Sequence, residues 1–302
     1  MTLKEKIESN QFIVCGETGP PQSCDGNVIR EKSRHFKGFV DAVNITDNQT
    51  AIVRLSSIAS AKILLDEGVE PIIQMTCRDR NRLAIQSDLL GAAALGIRNV
   101  LCLTGDHQKF GDHPEAKDVF DLDSIQLIAT VAKMNSGFLL SDYEMKKAPD
   151  FLIGAAANPF AEPFEMRLIR LYKKVKAGAH FIQTQPVFDL AIFTRWMEKV
   201  VEMGLHEKCA IFAGVMPAKS VKALLYMKME VPGVKINDEY INRMKDSSDP
   251  KEEGVKIAVE IIQTLKNIKG VRGIHLMPVM WESITPVIVK EAGLNFIAES
   301  CE

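Results

Sequence analysis

Short apolar runs rich in β-branched residues recur along the chain at nearly constant intervals. Each run is followed by polar or turn-forming residues, a pattern typical of buried strands. Five of the seven intervals between successive runs lie within one residue of 29, the length of one strand–helix repeat with short loops. The eight runs begin near Phe12, Ala42, Pro71, Asn99, Leu152, Phe181, Ala210 and Gly273.

Between these runs, apolar residues recur every three or four positions, which predicts amphipathic helices. A last helix is expected to begin with Asp249 as N-cap and Pro250 at its first position, and to run through Leu265 to a stop near Gly270. The other predicted helices span residues 52–66, 80–95, 122–135, 162–176, 189–203 and 282–292.

Eight strands that alternate with helices predict one α/β domain over residues 1–302, a single (β/α)8 TIM barrel. The two long intervals are interpreted as insertions: a polar loop at 107–121 after strand 4, and an extra helical stretch near 228–248 before strand 8. A doubly wound open sheet is the rival architecture. No strand, however, is followed by a GxGxxG or GxxxxGK[ST] motif, which such a sheet often carries.

Composition limits the class of partner. The chain is 46% hydrophobic with a net charge of −2, and no Lys/Arg cluster suggests a nucleic-acid site. No apolar stretch is long enough to span a membrane, and the polar start is unlike a secretory signal, so a cytoplasmic location is expected. The six cysteines show no CxxC spacing, so neither a disulfide framework nor a metal site is expected.

The strand ends carry the candidate chemistry, because in a barrel they surround one mouth. No predicted strand holds a lysine for Schiff-base chemistry, GxSxG is missing, and His275 is the only strand histidine. Carboxylates and amides without an electrophile predict a site that moves protons and takes its hydride chemistry from a bound cofactor. The strand-end candidates are Glu17, Thr46, Gln74, Thr104, Gly105, Asp106, Asn158 and Gln185.

Several of these residues belong to short motifs in a fixed order along the chain. The motifs are Glu17-Thr18-Gly19-Pro20-Pro21, Thr76-Cys77, Leu103-Thr104-Gly105-Asp106, Lys173-Lys174-Val175 with Ala177-Gly178-Ala179, and Thr184-Gln185 with Phe188-Asp189. Because these motifs occur in this order and at the spacing of a barrel, the chain resembles the 5,10-methylenetetrahydrofolate reductases over nearly its whole length. The resemblance is to the short bacterial form, which has no C-terminal regulatory domain.

The resemblance implies a non-covalent flavin, FAD or FMN, and ping-pong reduction of methylenetetrahydrofolate in one-carbon metabolism and methionine biosynthesis. It implies that Glu17 is the general acid that opens the folate ring, and that Asp106 lies near the flavin pyrimidine and the pterin. It implies that Gln185 contacts the pterin. The residues that match flavin-contacting positions are Thr46, Gln74, Thr104, Gly105, Asp106, Asn158 and Lys174, with Asp121 a weaker match.

The chain also departs from the family pattern. Gln74 stands where a histidine is familiar, and Asn158 where a tyrosine is familiar. After Pro217 the nicotinamide-stacking segment is not matched, so Tyr226 or Met227 would have to replace its aromatic residue. The electron donor is therefore open between NAD(P)H and another source.

An iron–sulfur partner subunit in a hetero-complex is one such source, and a homo-oligomer is the other assembly considered. Two other functions also remain open. A folate-dependent methyltransferase barrel would purify colourless, and a non-catalytic barrel subunit of an electron-transfer complex would not need Glu17.

Overall fold

The computed structural model of the chain describes residues 1–231 and 234–294. Eight parallel strands form a closed barrel in chain order, with the last strand paired to the first. Each strand begins within two residues of the position expected from the apolar runs, which confirms the barrel. The strands are β1 (Ile13–Thr18), β2 (Ala42–Ile45), β3 (Pro71–Thr76), β4 (Asn99–Leu103), β5 (Leu152–Ala157), β6 (Phe181–Pro186), β7 (Ala210–Val215) and β8 (Val271–Leu276).

A short helix precedes β1, and the helices that follow the strands cover the outside of the barrel. They are α1 (Leu3–Glu8), α2 (Asn27–Ser33), α3 (Ser57–Asp66), α4 (Arg82–Ala94), α5 (Ser124–Asn135), α6 (Phe164–Ala177), α7 (Leu190–Glu202), α8 (Val221–Glu230), α9 (Asp238–Asp246), α10 (Pro250–Leu265) and α11 (Thr285–Glu291). Within the described ranges, no helix has both the length and the apolar character needed to cross a membrane.

Side-chain caps explain where several helices begin. Asn81, Asp123 and Asp189 each accept backbone N–H groups in the first turn of α4, α5 and α7, which leaves fewer donors unsatisfied at these ends. Asp249 caps α10 and Pro250 is its first residue, as expected from the sequence. Each helix start is thereby fixed shortly after the strand or loop that precedes it.

The predicted helix at 52–66 is wrong at its beginning. α3 starts only at Ser57, because the backbone before it is extended and bound to the loop after β1. Leu55 N donates to Pro21 O at 2.8 Å, and the guanidinium of Arg54 donates to Pro20 O at 3.1 Å. The apolar spacing of residues 52–55 therefore reflects packing of a loop rather than a helical face.

Both insertions lie where the long intervals placed them. The segment at 107–121 connects β4 to α5 and contains a short 3₁₀ turn at Gln108–Phe110. The second insertion contributes α9, between α8 and α10. Residues 232–233, inside this second insertion, and residues 295–302, including Cys301, lie outside the described residues.

Alternating strand residues divide the core into two parts. Outward-facing residues pack against the helices, and inward-facing apolar residues fill the lower half of the barrel, where Leu3 of α1 packs against them. Phe181 and Phe212 stack there with ring centroids 5.4 Å apart. A Cβ on Gly154 would lie 2.2 Å from the Phe181 ring, so this filling depends on a glycine. A site for catalysis is therefore expected at the upper, carboxyl-terminal end of the barrel, which this apolar filling does not reach.

Candidate active site

The upper layer of the barrel interior is polar on four adjacent strands. Two positions beyond the inward-facing apolar residues lie His275 on β8, Glu17 on β1, Asn44 on β2 and Gln74 on β3. Since inward-facing side chains recur every second residue, strand periodicity alone puts these four on the same face. All four are buried or nearly so. They form one connected cluster.

Glu17 is the centre of this cluster. Its Oε2 accepts a hydrogen bond from Gln74 Nε2 at 3.1 Å and lies 3.2 Å from His275 Nε2. Behind the histidine, Asn44 Nδ2 lies 3.3 Å from His275 Nδ1 and donates to Gly16 O at 3.3 Å. Both contacts on the carboxylate use Oε2, and none of the described residues hydrogen-bonds Oε1.

A buried ion pair lies where β2 and β3 end. Asp47 accepts two bonds from the Arg80 guanidinium, at 2.7 and 3.1 Å, and two from the N–H and hydroxyl of Thr76. Arg80 also contacts the more exposed Asp88 at 2.9 Å. Asp47 therefore ties the end of β2 to the beginning of α4.

Arg78 organises the loops beside this pair. Its side chain is almost fully buried, and its guanidinium contacts Asp79 at 2.6 Å. It also donates to the backbone oxygens of Asn48 and Asp106, each at 3.2 Å. One arginine thus fixes the loop after β2 and the loop after β4, while the Asp106 side chain is exposed at the rim.

The chain leaves β4 through a glycine in the left-handed region of the backbone. Gly105 has φ +95°, and a Cβ there would lie 2.9 Å from Arg78 Cβ, so glycine is required on both counts. Thr104 Oγ1 accepts from Ser124 N at 3.3 Å, which links the strand end to α5.

Asp121, at the end of the insertion, is bound to Arg82. It accepts three bonds from the backbone and guanidinium of that arginine, each at 2.9 Å. These contacts lower the pKa of Asp121 to about 2. Both carboxylate oxygens of Asp121 therefore already accept hydrogen bonds from Arg82. In Glu17, by contrast, only one carboxylate oxygen accepts hydrogen bonds from described residues.

A small cationic cavity lies between β5 and α6. It has a volume of about 30 Å³, and Asn158 lines it together with Arg167, Arg170 and Lys174. Lys174 Nζ donates to Ala156 O at 2.5 Å. Burial, followed by the charge of Arg170, lowers the pKa of Lys174 to about 8.

Only one lysine of the Lys173-Lys174-Val175 motif faces this cavity. Lys173 is exposed while Lys174 is buried, because neighbours on a helix point in different directions. Arg170 and Arg167, one and two turns before Lys174, line the cavity instead. Arg167 Nε is buried there without a hydrogen-bond partner among the described residues.

The remaining candidates lie on β6 and after β2. Gln185 is half-buried at the end of β6, where Thr184 Oγ1 bonds both Gln185 O and Gly214 N across an irregular register with β7. The hydroxyl of Thr46 is buried and has no hydrogen-bond partner within the described part of the chain. A buried hydroxyl without a partner at a barrel mouth is a group that a ligand can satisfy.

Three buried thiols near the barrel interior are poorly suited to this chemistry. Cys15, Cys77 and Cys102 are buried, and burial raises the pKa of each, to about 12 for Cys77. At neutral pH these groups are therefore protonated and weakly nucleophilic.

Sequence reasoning missed several residues of the site. His275 was visible as a strand histidine, and counting alternate positions from Gly273 would have placed it inside the barrel. The charged run after β3 gave no sign that Arg78 is buried and Arg80 only partly exposed, since a charge run usually lies on a solvated face. Their burial depends on carboxylates and carbonyls from other loops.

Comparison with known sequences identifies one family. The family described as Methylenetetrahydrofolate reductase matches residues 2–293. Methylenetetrahydrofolate reductase 1 of Schizosaccharomyces pombe is 27% identical over 240 residues, which are 77% of this chain and 37% of that protein. The probable methylenetetrahydrofolate reductase (NADPH) of Caenorhabditis elegans is 25% identical over 97% of this chain and 44% of its own length. The chain thus spans less than half of these two relatives.

A bacterial relative and two solved structures extend the comparison. The 5,10-methylenetetrahydrofolate reductase of Pectobacterium carotovorum is 26% identical over 69% of this chain and 64% of its own length. A Clostridium thermocellum protein that binds two copies of 5-methyl-5,6,7,8-tetrahydrofolic acid superposes with a TM-score of 0.64 at 16% identity, covering 96% of this chain and 95% of its own. A 2,3-dimethylmalate lyase superposes with a TM-score of 0.51 at 12% identity, covering 95% and 82%. At such identities these structures show the barrel fold alone.

Proposed function

Because the chain belongs to the methylenetetrahydrofolate reductase family, we propose that it reduces 5,10-methylenetetrahydrofolate to 5-methyltetrahydrofolate in the cytoplasm. The proposed reaction is ping-pong and uses a non-covalent flavin, FAD or FMN. The observation that carries the proposal is the setting of Glu17: one carboxylate oxygen is held by two partners, and the other is bonded by no described residue.

The residues at the mouth fit a flavin. Flavin phosphates need cationic partners, and Arg167, Arg170 and Lys174 line one cavity. The unpartnered Thr46 hydroxyl offers a further polar contact, and Asn158, Thr104 and Gly105 lie at neighbouring strand ends. The cavity of about 30 Å³ has room for about two waters, so the arginine side chains have to move to admit a phosphate.

The proposed chemistry assigns the proton to Glu17. Gln185 and Asp106 bind the pterin, and Glu17 Oε1 gives its proton to the departing ring nitrogen. The C–N bond breaks with its electron pair left on that nitrogen, and the one-carbon unit becomes an iminium carbon. The flavin, when bound and reduced, supplies the hydride that this carbon accepts. The Glu17 carboxylate that remains keeps its hydrogen bonds from Gln74 and His275.

The direct test is to incubate the purified protein with FAD and with FMN, record its visible spectrum, and assay folate products anaerobically with a chemical reductant. We expect a yellow protein with one flavin per chain that forms 5-methyltetrahydrofolate. A protein that takes up neither flavin and forms no product would contradict the proposal. A colourless protein that passes a methyl group to a corrinoid would indicate the methyltransferase alternative instead.

Flavin affinity is expected to depend on pH through Lys174. With a pKa of about 8, below its ordinary 10.5, Lys174 is largely protonated at pH 7 and largely neutral at pH 9. Since a phosphate prefers the protonated amine, affinity should be nearly constant below about pH 7, fall by about half at pH 8 and be about tenfold weaker at pH 9. Fluorescence titrations at pH 7, 8 and 9 measure this. Lys174→Arg keeps its charge and should show no such loss; an equal loss in that variant would place the titrating group elsewhere.

The electron donor is proposed to be other than free NAD(P)H, with an iron–sulfur partner subunit as one source. Tyr226 is 60% exposed and Met227 is buried in the core. Tyr226 and Met227 are five and six residues after the first residue of α8. They therefore lie roughly 8–9 Å along the helix from its start near the mouth. Neither is therefore at the rim to stack on a nicotinamide.

Accordingly, NADH and NADPH should reduce the bound flavin at least about tenfold more slowly than a reduced viologen. Stopped-flow bleaching of the flavin absorbance compares the donors directly. Rapid stoichiometric bleaching by NADH would show that the chain uses a nicotinamide site of a different composition.

A further inference from the structure

We propose that His275 is a positioning residue that holds Glu17 so that its acidic proton is on Oε1. This inference rests on the proposed function of Glu17 as the general acid. His275 lies on β8, the last strand in the chain, which pairs with the first strand β1 when the barrel closes.

The amide of Asn44 determines which nitrogen of His275 carries the proton. The backbone oxygen of Gly16 can only accept, so the amide group 3.3 Å from it is the nitrogen, Nδ2. The same nitrogen lies 3.3 Å from His275 Nδ1. A donor that faces Nδ1 requires a lone pair there, so the neutral ring carries its proton on Nε2.

The proton on Nε2 in turn determines which oxygen of Glu17 is the acid. The Nε2–H group of His275 donates to Oε2 across 3.2 Å, and Gln74 donates to the same atom across 3.1 Å. An oxygen that accepts from two N–H groups has no room for a proton of its own, so the proton is on Oε1. When the O–H bond at Oε1 breaks and the folate N–H bond forms, His275 stays neutral and stabilises the new carboxylate through a charge-assisted bond.

The surroundings of His275 keep its ring in this orientation. The residue is 4% exposed and pairs in register with Cys15 on β1 and Gly214 on β7. Below it lies the apolar filling of the barrel, to which Cys15 belongs. The line from Asn44 through His275 to Glu17 is therefore a rigid support for the acid.

The tautomer can be tested without substrate or flavin. In ¹⁵N-histidine-labelled protein at pH 7, we expect His275 to show a protonated Nε2 and an unprotonated Nδ1 by nitrogen chemical shift. The His275→Gln variant assigns the resonance by its disappearance. An Nδ1–H tautomer or a doubly protonated ring would overturn the inference.

The kinetic test compares His275→Leu with His275→Gln, which retains an amide N–H close to the position of ring Nε2. A reactive group misplaced by about 1 Å can lose about 10²-fold in rate, so His275→Leu should slow folate reduction by about that factor. Flavin content, donor reaction and the KM for folate should change by less than about threefold. His275→Gln should recover the folate rate to within about fivefold of wild type. His113→Gln, at a histidine exposed on the insertion loop, is the matched control.

The outcomes separate the two proposals. If wild-type protein forms no methyltetrahydrofolate, the proposed function fails, and the nitrogen shifts still decide the tautomer. If wild type is active but His275→Leu reduces folate at full rate, or folded His275→Gln is as slow as His275→Leu, the positioning role is refuted.

Discussion

Replacement of Glu17 by glutamine is expected to slow folate reduction by at least about 10³-fold while flavin binding and donor oxidation stay within about twofold. The closed folate ring presents no iminium carbon, and ring opening needs a proton on the departing nitrogen. A positioned general acid contributes roughly 10²–10⁴-fold, and no other described carboxyl group hydrogen-bonds this cluster. Glutamine keeps the size of Glu17 and an oxygen that can accept from Gln74 and His275, so the fold should be retained.

Single-turnover stopped flow on each half-reaction measures this separation. The matched control is Glu282→Gln, a second buried carboxylate near the mouth, which accepts from Thr18 Oγ1 at 3.0 Å and pairs with Lys32 at 2.7 Å. In Glu282→Gln, the rates of both half-reactions should stay within about threefold of those of the wild type. Equal slowing of both half-reactions in Glu17→Gln would make Glu17 structural, and folate reduction within about tenfold of wild type would mean that the proton comes from elsewhere.

Loss of the charge on Asp47 is expected to lower the free energy of unfolding by about 3 kcal/mol. Removing one partner of a buried ion pair typically costs about 3–5 kcal/mol, and Arg80 would keep only its contact with the more exposed Asp88. Asp47→Asn keeps the shape and one acceptor for Thr76, so the cost should lie at the lower end. For a chain of this size, we expect a fall in Tm of roughly 5 °C.

Arg80 provides its own control, because it also pairs with Asp88. The Asp88 side chain is 39% exposed and that of Asp47 is 2% exposed. Exposed ion pairs contribute about 0–1 kcal/mol, so Asp88→Asn should lower Tm by less than about 2 °C. Thermal melts of the two variants test the contrast, and equal shifts would show that burial of the Arg80 pair contributes little.

Most of the fold is predictable from local patterns. A strand that is buried on both faces reads as an apolar run, and constant spacing between runs implies a repeated strand–helix unit. Capping residues such as Asp249 mark helix ends through contacts within one turn. The error at residues 52–55 arose because apolar spacing cannot distinguish a helix from a loop held by another loop, here through Pro21 and Leu55.

The candidate site was predictable only one strand at a time. Gly105 and Glu17 stand at strand ends that the sequence marks clearly. The partners of Glu17 come from β3 and β8, and no local signal connects Gln74 or His275 to it. Such pairings follow from barrel closure, which brings together residues 57 and 258 positions apart along the chain.

By itself, the sequence determined the eight strands and their order, because these depend on short apolar runs and on the spacing between them. Only the tertiary structure decided which polar groups share a hydrogen bond, which arginines are buried, and which lysine of the Lys173-Lys174 pair faces the cavity. The physical reason is that burial and hydrogen bonding depend on atoms supplied by distant strands. The chemistry of a residue such as His275 is therefore set by neighbours that its own segment does not contain.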